Sequence, residues 1–265
     1  MQLKSELKLV KSSVRSAAKA ILQIAHDGFE ADYKTDNSPL TLADLEANRI
    51  LKETLTQSFG EYGWLSEETR DDRARLDCQR VWIVDPIDGT REFTLQIPEF
   101  VISVALAERE EVILGVIYNP STDELFEAVR GGQAKLNDKF IRSNHRFGDK
   151  PVVEASRSDI EKGRFAAFES VVEIRPCGSI AYKLARLAAG KADSVFSLTP
   201  KNEWDIAAGV ILVTEAGGKV GGTSGKPFLF NQPDTLVNGI IAASGQAYET
   251  ICSIIDNVTE GKTSM

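Results

Sequence analysis

Little in these 265 residues invites redox or soft-metal chemistry: the chain holds three cysteines, two methionines and two histidines. Cys78, Cys177 and Cys252 have no metal-ligand spacing and cannot all pair. That argues against a disulfide framework or zinc site and suits a reducing compartment, here expected to be the cytoplasm. Basic residues are also the minority, 31 against 39 acidic, for a formal charge of −8. A nucleic acid is therefore not expected as the main partner, since its phosphates need a basic stripe. No apolar run approaches the twenty or so residues that a membrane span requires. The pattern Leu3, Leu7, Val10, Val14, Ala17, Ile21 and Ile24 is interrupted by charges. It reads as an amphipathic helix, neither a signal peptide nor a transmembrane segment. Internal repeats and low-complexity stretches are missing too. What remains, at 42% hydrophobic and 26% charged, can bury one large core or two coupled ones.

Against that background the segment Val81-Trp82-Ile83-Val84-Asp85-Pro86-Ile87-Asp88-Gly89-Thr90-Arg91-Glu92-Phe93 stands out. An apolar run predicts a buried strand, and it stops at two aspartates. Asp-Pro and Asp-Gly alone would make an ordinary turn. Carboxylates at the end of a buried strand, however, lie where ligand sites are commonly built. Two of them repel unless a positive charge lies between, and a hard cation such as Mg²⁺ takes oxygen ligands.

Two further acidic groups follow the same logic. Glu67-Glu68 comes after Trp64-Leu65-Ser66, just before that strand; alone it would read as a solvated face. Glu203-Trp204-Asp205 opens a segment in which Ile206, Val210, Val213 and Thr214 recur at helical spacing, closed by Gly217-Gly218. Asp205 could simply complement a helix dipole. Thr41-Leu42-Ala43-Asp44 likewise reads as a capping box opening a helix that runs to about Ser58, with Leu42, Leu45, Leu51 and Leu55 as its apolar positions.

Taken together, Glu67-Glu68, Asp85-Pro86-Ile87-Asp88-Gly89-Thr90, Trp204-Asp205 and the stretch from Lys34 to Asp44 resemble, in order, the motifs of the inositol monophosphatase superfamily. The resemblance spans about Lys34 to Gly218. It implies a Mg²⁺-dependent phosphomonoesterase. Glu67, Asp85, the Ile87 carbonyl, Asp88 and Asp205 would ligate two or three ions. Thr90, assisted by Glu67 and Asp44, would orient and deprotonate the attacking water. It also implies inhibition by Li⁺ at one Mg²⁺ position. Backbone amides of Gly89, Thr90 and Arg91 at a helix start would hold phosphate oxygens. Phosphate monoesters hydrolyse extremely slowly unaided, and paired metals address that barrier. No cysteine-based phosphatase loop is present, and His26 on a helix has no evident role.

The substrate is narrowed by smaller features. Gly89-Thr90-Arg91-Glu92-Phe93 and Asn37-Ser38-Pro39 resemble the 3′(2′),5′-bisphosphate nucleotidases of CysQ type, whereas inositol monophosphatases more often carry Gly-Thr-Thr-Asn-Phe. The acid that binds inositol hydroxyls in those enzymes falls, counted without gaps, on Leu198, which cannot accept such bonds. Lys183, after Ser179, could meet a second phosphate, or simply be a solvated helix lysine; Lys201 and Arg186 are weaker candidates. Tyr182 or Phe196 could stack on adenine or pack in the core. The expected reaction is loss of the 3′-phosphate from 3′-phosphoadenosine 5′-phosphate. The alternatives are an inositol or sugar phosphate substrate, or a non-catalytic scaffold of the same fold.

Strands are expected over 100–107, 112–118 and 124–129, more weakly over 134–141, then over 152–155, 171–175 and 192–198, with short ones near Lys219 and Ile240. Helices are expected over 179–189, 205–216 and 246–258. With the resemblance, this implies an α+β fold, the layered α-β-α-β-α sandwich of the inositol monophosphatase and fructose-1,6-bisphosphatase type. The polar stretch Ser143–Lys150 suggests an N-terminal half, 1–145, carrying most metal ligands, and a C-terminal half, 146–265, carrying Asp205 and the specificity residues. The chain is expected to be a monomer or homodimer.

Overall fold

The computed structural model describes residues 3–33, 39–144 and 149–261. Lys34 to Ser38, part of the N-terminal motif, lies outside the described residues, as does the middle of the polar stretch after Ser143.

Helix α1 (Lys4–Asp27) leads through a small ribbon, β1 (Ala31–Tyr33) and β2 (Pro39–Thr41), into α2 (Leu42–Ser58). Then come β3 (Gly63–Ser66), β4 (Arg80–Asp88), the one-turn α3 (Thr90–Thr94), β5 (Val101–Glu108), β6 (Glu111–Asn119), β7 (Glu124–Val129), β8 (Lys135–Leu136) and β9 (Lys139–Phe140). These strands form a seven-stranded sheet in chain order, antiparallel except for the β3/β4 pair. The second half holds β10 (Val152–Ala155), α4 (Arg157–Glu161), β11 (Glu173–Pro176), α5 (Ile180–Ala188), β12 (Ser194–Ser197), β13 (Lys201–Asn202), α6 (Glu203–Glu215), β14 (Lys219–Gly221), β15 (Leu236–Val237), β16 (Ile240–Ala243) and α7 (Tyr248–Gly261). Its main sheet has the order β11-β10-β12-β16-β14.

The unbroken apolar run of β4 follows from having helices on both faces. Trp82 and Val84 point to one core, with Val10, Val14 and Ile21 of α1 and Ala47, Leu51 and Leu55 of α2. Val81 and Ile83 point to the other, filled by α5 and α6 and closed by Val195 and Ala242 of the smaller sheet. A third core lies on that sheet's far side, where Phe165, Phe168 and Phe196 meet Ile251 and Ile255 of α7. The layers therefore run α-β-α-β-α. The middle core joins residues from Leu65 to Ala242, so the two halves of the chain share it. No helix of the described residues is long and apolar enough to cross a membrane.

Several expectations change in detail. Leu42 and Leu45 are exposed, and α2 instead buries Ala43, Asp44 and Ala47 alongside Leu51 and Leu55. Thr214 is exposed as well. Helix α6 lies between two sheets, so it buries Ile206 to Gly209 and Ile211 to Val213, more than one stripe. The strand expected over 134–141 is a hairpin broken by Asn137 and Asp138, both with positive φ. The strand expected over 171–175 runs from Glu173 to Pro176, and α7 begins at Tyr248 and extends to Gly261.

Candidate active site

Parallel pairing of β3 with β4 sets the first two carboxylates side by side. Ser66 is in register with Val84, so Glu67 and Asp85 leave adjacent strand ends, and the Glu67 amide still donates to the Val84 carbonyl at 3.3 Å. Beyond Asp85 the pairing with β5 slips: Asp85 faces Ser103 while Asp88 faces Val101. One extra residue is accommodated at Pro86-Ile87, a bulge that re-aims the chain between the aspartates. Gly89 follows at φ 98°, where a Cβ would lie 2.9 Å from the Glu99 carbonyl oxygen, so only glycine fits.

Two capping boxes fix two more acids. Asp44 Oδ2 accepts from the Thr41 amide at 2.7 Å and the Thr41 hydroxyl at 2.6 Å, opening α2. Asp205 Oδ2 accepts from the Asn202 amide at 2.8 Å, opening α6. Capping and site roles coincide here, because a carboxylate tied by one oxygen presents the other in a fixed direction. The start of α6 is itself clamped. Glu203 is fully buried and accepts from the Asn231 and Gln232 amides at 2.6 and 2.8 Å. Buried Arg75 donates to Asn231 Oδ1 at 2.6 Å and the Gln232 carbonyl at 2.9 Å, and pairs with Asp71.

The result is an acidic cage. One carboxylate oxygen each from Glu67, Asp85 and Asp205 lies within 4.8 Å of the others. Mg²⁺ holds oxygens at about 2.0–2.1 Å, so its ligands stand roughly 3–4 Å apart, a spacing this set can meet with small adjustments. The electrostatics agree. Burial, then the charges of Glu67, Asp88 and Asp205, push the Asp85 carboxyl well above its usual range. Burial with Asp88 and Glu67 pushes Asp205 up to about 8. Carboxyls left so uncompensated, supplying only oxygen, fit a hard divalent cation.

Asp88 lines the same cavity, of about 490 Å³, but stands outside that set of three. Its Oδ2 accepts from the Ser179 hydroxyl at 2.5 Å and the Ala181 amide at 2.6 Å, at the start of α5. Burial still raises its carboxyl, opposed by those two bonds and by the charges of Lys183 and Lys201. The Thr90 hydroxyl lies 3.1 Å from Asp44 Oδ1 and 3.0 Å from the Ile87 carbonyl. The structure thus gathers Glu67, Asp85, Ile87, Asp88, Gly89, Thr90, Arg91, Ser179 and Asp205 around one cavity, with Asp44 behind Thr90.

The specificity candidates divide. Lys183 is neither solvated nor among the cavity-lining residues. It is buried, donating to the Ser156 hydroxyl and the Cys177 carbonyl at 3.2 Å each. Arg186 pairs with buried Glu154, and Tyr182, buried, hydrogen-bonds Glu124. Phe196 packs with Phe165 and Phe168. Among the described residues no aromatic ring lines the cavity, and the expected adenine platforms Tyr182 and Phe196 are core residues. Lys201 does line it, and burial lowers its ammonium. Leu198 is 43% exposed. Glu92, Ser156, Ser158 and Gly178 also line the cavity and were not anticipated. Glu92 belongs to the stretch Gly89–Phe93, whose pattern gives it no role of its own; the serines carry no local signal, because a second layer brings them in.

Carboxylates converging at strand ends and helix starts form an acidic group that could hold a metal ion, beside the first turn of α3. The chain belongs to the inositol monophosphatase family, whose family model matches residues 3–260, and is a metal-dependent phosphatase. It is similar to the inositol-1-monophosphatase of Mesorhizobium japonicum, 33% identical over 91% of this chain and 93% of that protein. Among solved structures, the extragenic suppressor protein suhB of Bartonella henselae superposes with a TM-score of 0.82 at 28% identity, covering 95% of this chain and 98% of the other. The CysQ of Bacteroides thetaiotaomicron superposes with a TM-score of 0.74 at 30% identity, covering 92% and 98%.

Proposed function

We propose that this enzyme removes the 3′-phosphate of 3′-phosphoadenosine 5′-phosphate, giving AMP and orthophosphate. The hydrolytic half of the reading is carried by one observation: carboxylate oxygens of Glu67, Asp85 and Asp205 meet within 4.8 Å. Those three, with Asp88 and the Ile87 carbonyl, would hold two or three Mg²⁺ ions. When bound, the ions supply charge neutralisation at phosphorus and a more acidic water.

The remaining roles belong to the chain. The Thr90 hydroxyl has one proton and two nearby acceptors, Asp44 Oδ1 and the Ile87 carbonyl. Giving that proton to Asp44 frees Thr90 Oγ1 to take one from the attacking water. Burial raises the Asp44 carboxyl, and its hydrogen bonds from Thr41 and Thr90 oppose that. Amides of Gly89, Thr90 and Arg91 have no acceptor within so short a helix and are available for phosphate oxygens. Water adds to phosphorus as the ester P–O bond breaks, and the departing oxygen takes up a proton.

The nucleotide half rests on Lys201, a cation on the cavity wall, and on exposed Leu198 where an inositol-binding acid would stand. A second reading, an inositol or sugar phosphate, is favoured by a cavity that no aromatic ring of the described residues lines and by the name of the Mesorhizobium relative. Phosphate release from the two substrates, measured with Mg²⁺, separates them: the bisphosphate is expected to turn over at least tenfold faster. Faster release from inositol 1-phosphate would replace the first reading by the second. Wild-type hydrolysis abolished by Asp88→Asn separates either from a non-catalytic scaffold.

A further inference from the structure

Glu92 is a carboxyl in the cavity that neither the metal cage nor the water-activating pair uses. It lies on α3, two residues after Thr90, and is only 9% exposed. Its side chain takes a hydrogen bond from its own amide. Among the described residues it has no other hydrogen-bond partner, although it lines the cavity with Ser156, Ser158 and Ser179. The backbone opposite is shaped to it. A Cβ on Gly178 would lie 2.4 Å from Glu92 Cγ and 2.6 Å from Cδ, so glycine is what lets the carboxyl lie there. Neither of its carboxylate oxygens is both buried and unpartnered, so its remaining acceptor capacity opens into the cavity.

We infer that Glu92 is a specificity residue that accepts a hydrogen bond from a substrate hydroxyl neighbouring the phosphate ester. The inference rests on the phosphatase reading, because it takes the bound ester to be that of a polyol or ribose phosphate. Such esters carry a hydroxyl on the adjoining carbon, which sits beside the phosphate wherever the phosphate sits. The cavity's other carboxylates are committed: Glu67, Asp85 and Asp205 to one another's cage, Asp88 to Ser179 and Ala181. Its cations, Lys201 and Arg91, accept nothing. With leucine at 198, Glu92 is the uncommitted carboxyl among the described residues of the cavity, and it offers a neutral donor a stronger acceptor than the hydroxyls of Ser156 and Ser158 beside it. Burial raises the Glu92 carboxyl and Asp88 adds to that, while its own amide and the charges of Lys183 and Arg157 favour the carboxylate.

Two substrate pairs test this in the intact protein with Mg²⁺. One is 3′-phosphoadenosine 5′-phosphate and its 2′-deoxy counterpart; the other is glycerol 2-phosphate and isopropyl phosphate. Glu92→Ala is expected to lower kcat/KM about 10- to 100-fold on the hydroxyl-bearing member, chiefly through KM, and less than threefold on its partner. Glu92→Gln keeps one acceptor and the volume, and is expected to recover most of the loss should the alanine variant fold poorly. Equal losses on both members of a pair would make Glu92 a packing residue for Gly178 and overturn the assignment. Turnover of glycerol 2-phosphate without the nucleotide would overturn only the nucleotide reading, and the second pair would then decide on Glu92.

Discussion

The Ser179 hydroxyl donates to Asp88 at 2.5 Å, joining the end of the large sheet to the first turn of a helix 91 residues further on. Ser179 also caps that helix, accepting from the Tyr182 amide at 2.9 Å, and does so at φ 52°, a strained value for a residue with a side chain. One residue therefore aims Asp88 and closes α5.

Ser179→Ala removes both bonds. The expected cost is about 1 kcal/mol from the lost cap, or roughly 2–4 °C in Tm. The Mg²⁺ concentration giving half-maximal activity should also rise severalfold. Thermal unfolding with and without Mg²⁺ checks it; an unchanged Mg²⁺ requirement would separate Ser179 from Asp88.

Thr90 is predicted to act through its hydroxyl rather than its methyl. Thr90→Ser should keep kcat within a few-fold, because both acceptors stay in reach. Thr90→Ala should lose about 10²- to 10³-fold while Tm changes little. Comparable kcat values for the two variants would remove the proton-transfer role.

Metal binding should be linked to pH in a set direction. Asp205 is pushed up to about 8 in the fold from 3.8 otherwise, so the metal-free fold holds a proton that the unfolded chain releases. The stability this contributes is complete below about pH 4 and fades as pH rises through about 8. Mg²⁺ relieves the same repulsion and competes with protons, so its stabilisation should be larger at pH 8 than at pH 5. Calorimetry at both pH values, with Asp205→Asn as control, measures it. A shift no larger at pH 8 would contradict the carboxylate cage.

Arg75, in the short 3-10 turn Ala74–Asp77 before β4, should matter for stability. Arg75→Met removes the cation whose charge favours the buried Glu203 carboxylate and strips partners from Asp71 and Asn231. A loss of about 3 kcal/mol is expected, or roughly 6–12 °C, with kcat falling further because Asp205 starts the same helix. Denaturant unfolding would show it, and a loss under 1 kcal/mol would mean that the clamp is dispensable.

Much of the frame was open to inspection in the chain. Strands from β4 to β7 announce themselves by apolar runs between charged turns, and the capping box of α2 by Thr41/Asp44; that of α6 shows only in the fold, since Asp205 in sequence reads as a first-turn acid. What periodicity misjudged has one cause: it assumes one buried face. Helix α6 has sheets on two sides and so buries more than a stripe, whereas Leu42 and Leu45 fit a stripe that faces water. Lys183 shows the same limit for charge, because nothing local says that a lysine on a helix will be buried against Ser156 and Cys177.

By itself the sequence determined that two carboxylates end a buried strand and call for a cation between them, and its ordered motifs, through the family resemblance, added Glu67 and Asp205. Tertiary structure decided which acids converge. The β3/β4 register brings Glu67 to Asp85, the bulge at Pro86-Ile87 turns Asp88 toward α5, and the Glu203 clamp sets Asp205 opposite. It also decided that Tyr182, Phe196 and Lys183 serve the core while Glu92 faces the cavity. Distances between residues remote in the chain are fixed by packing against shared neighbours, and no local pattern contains them.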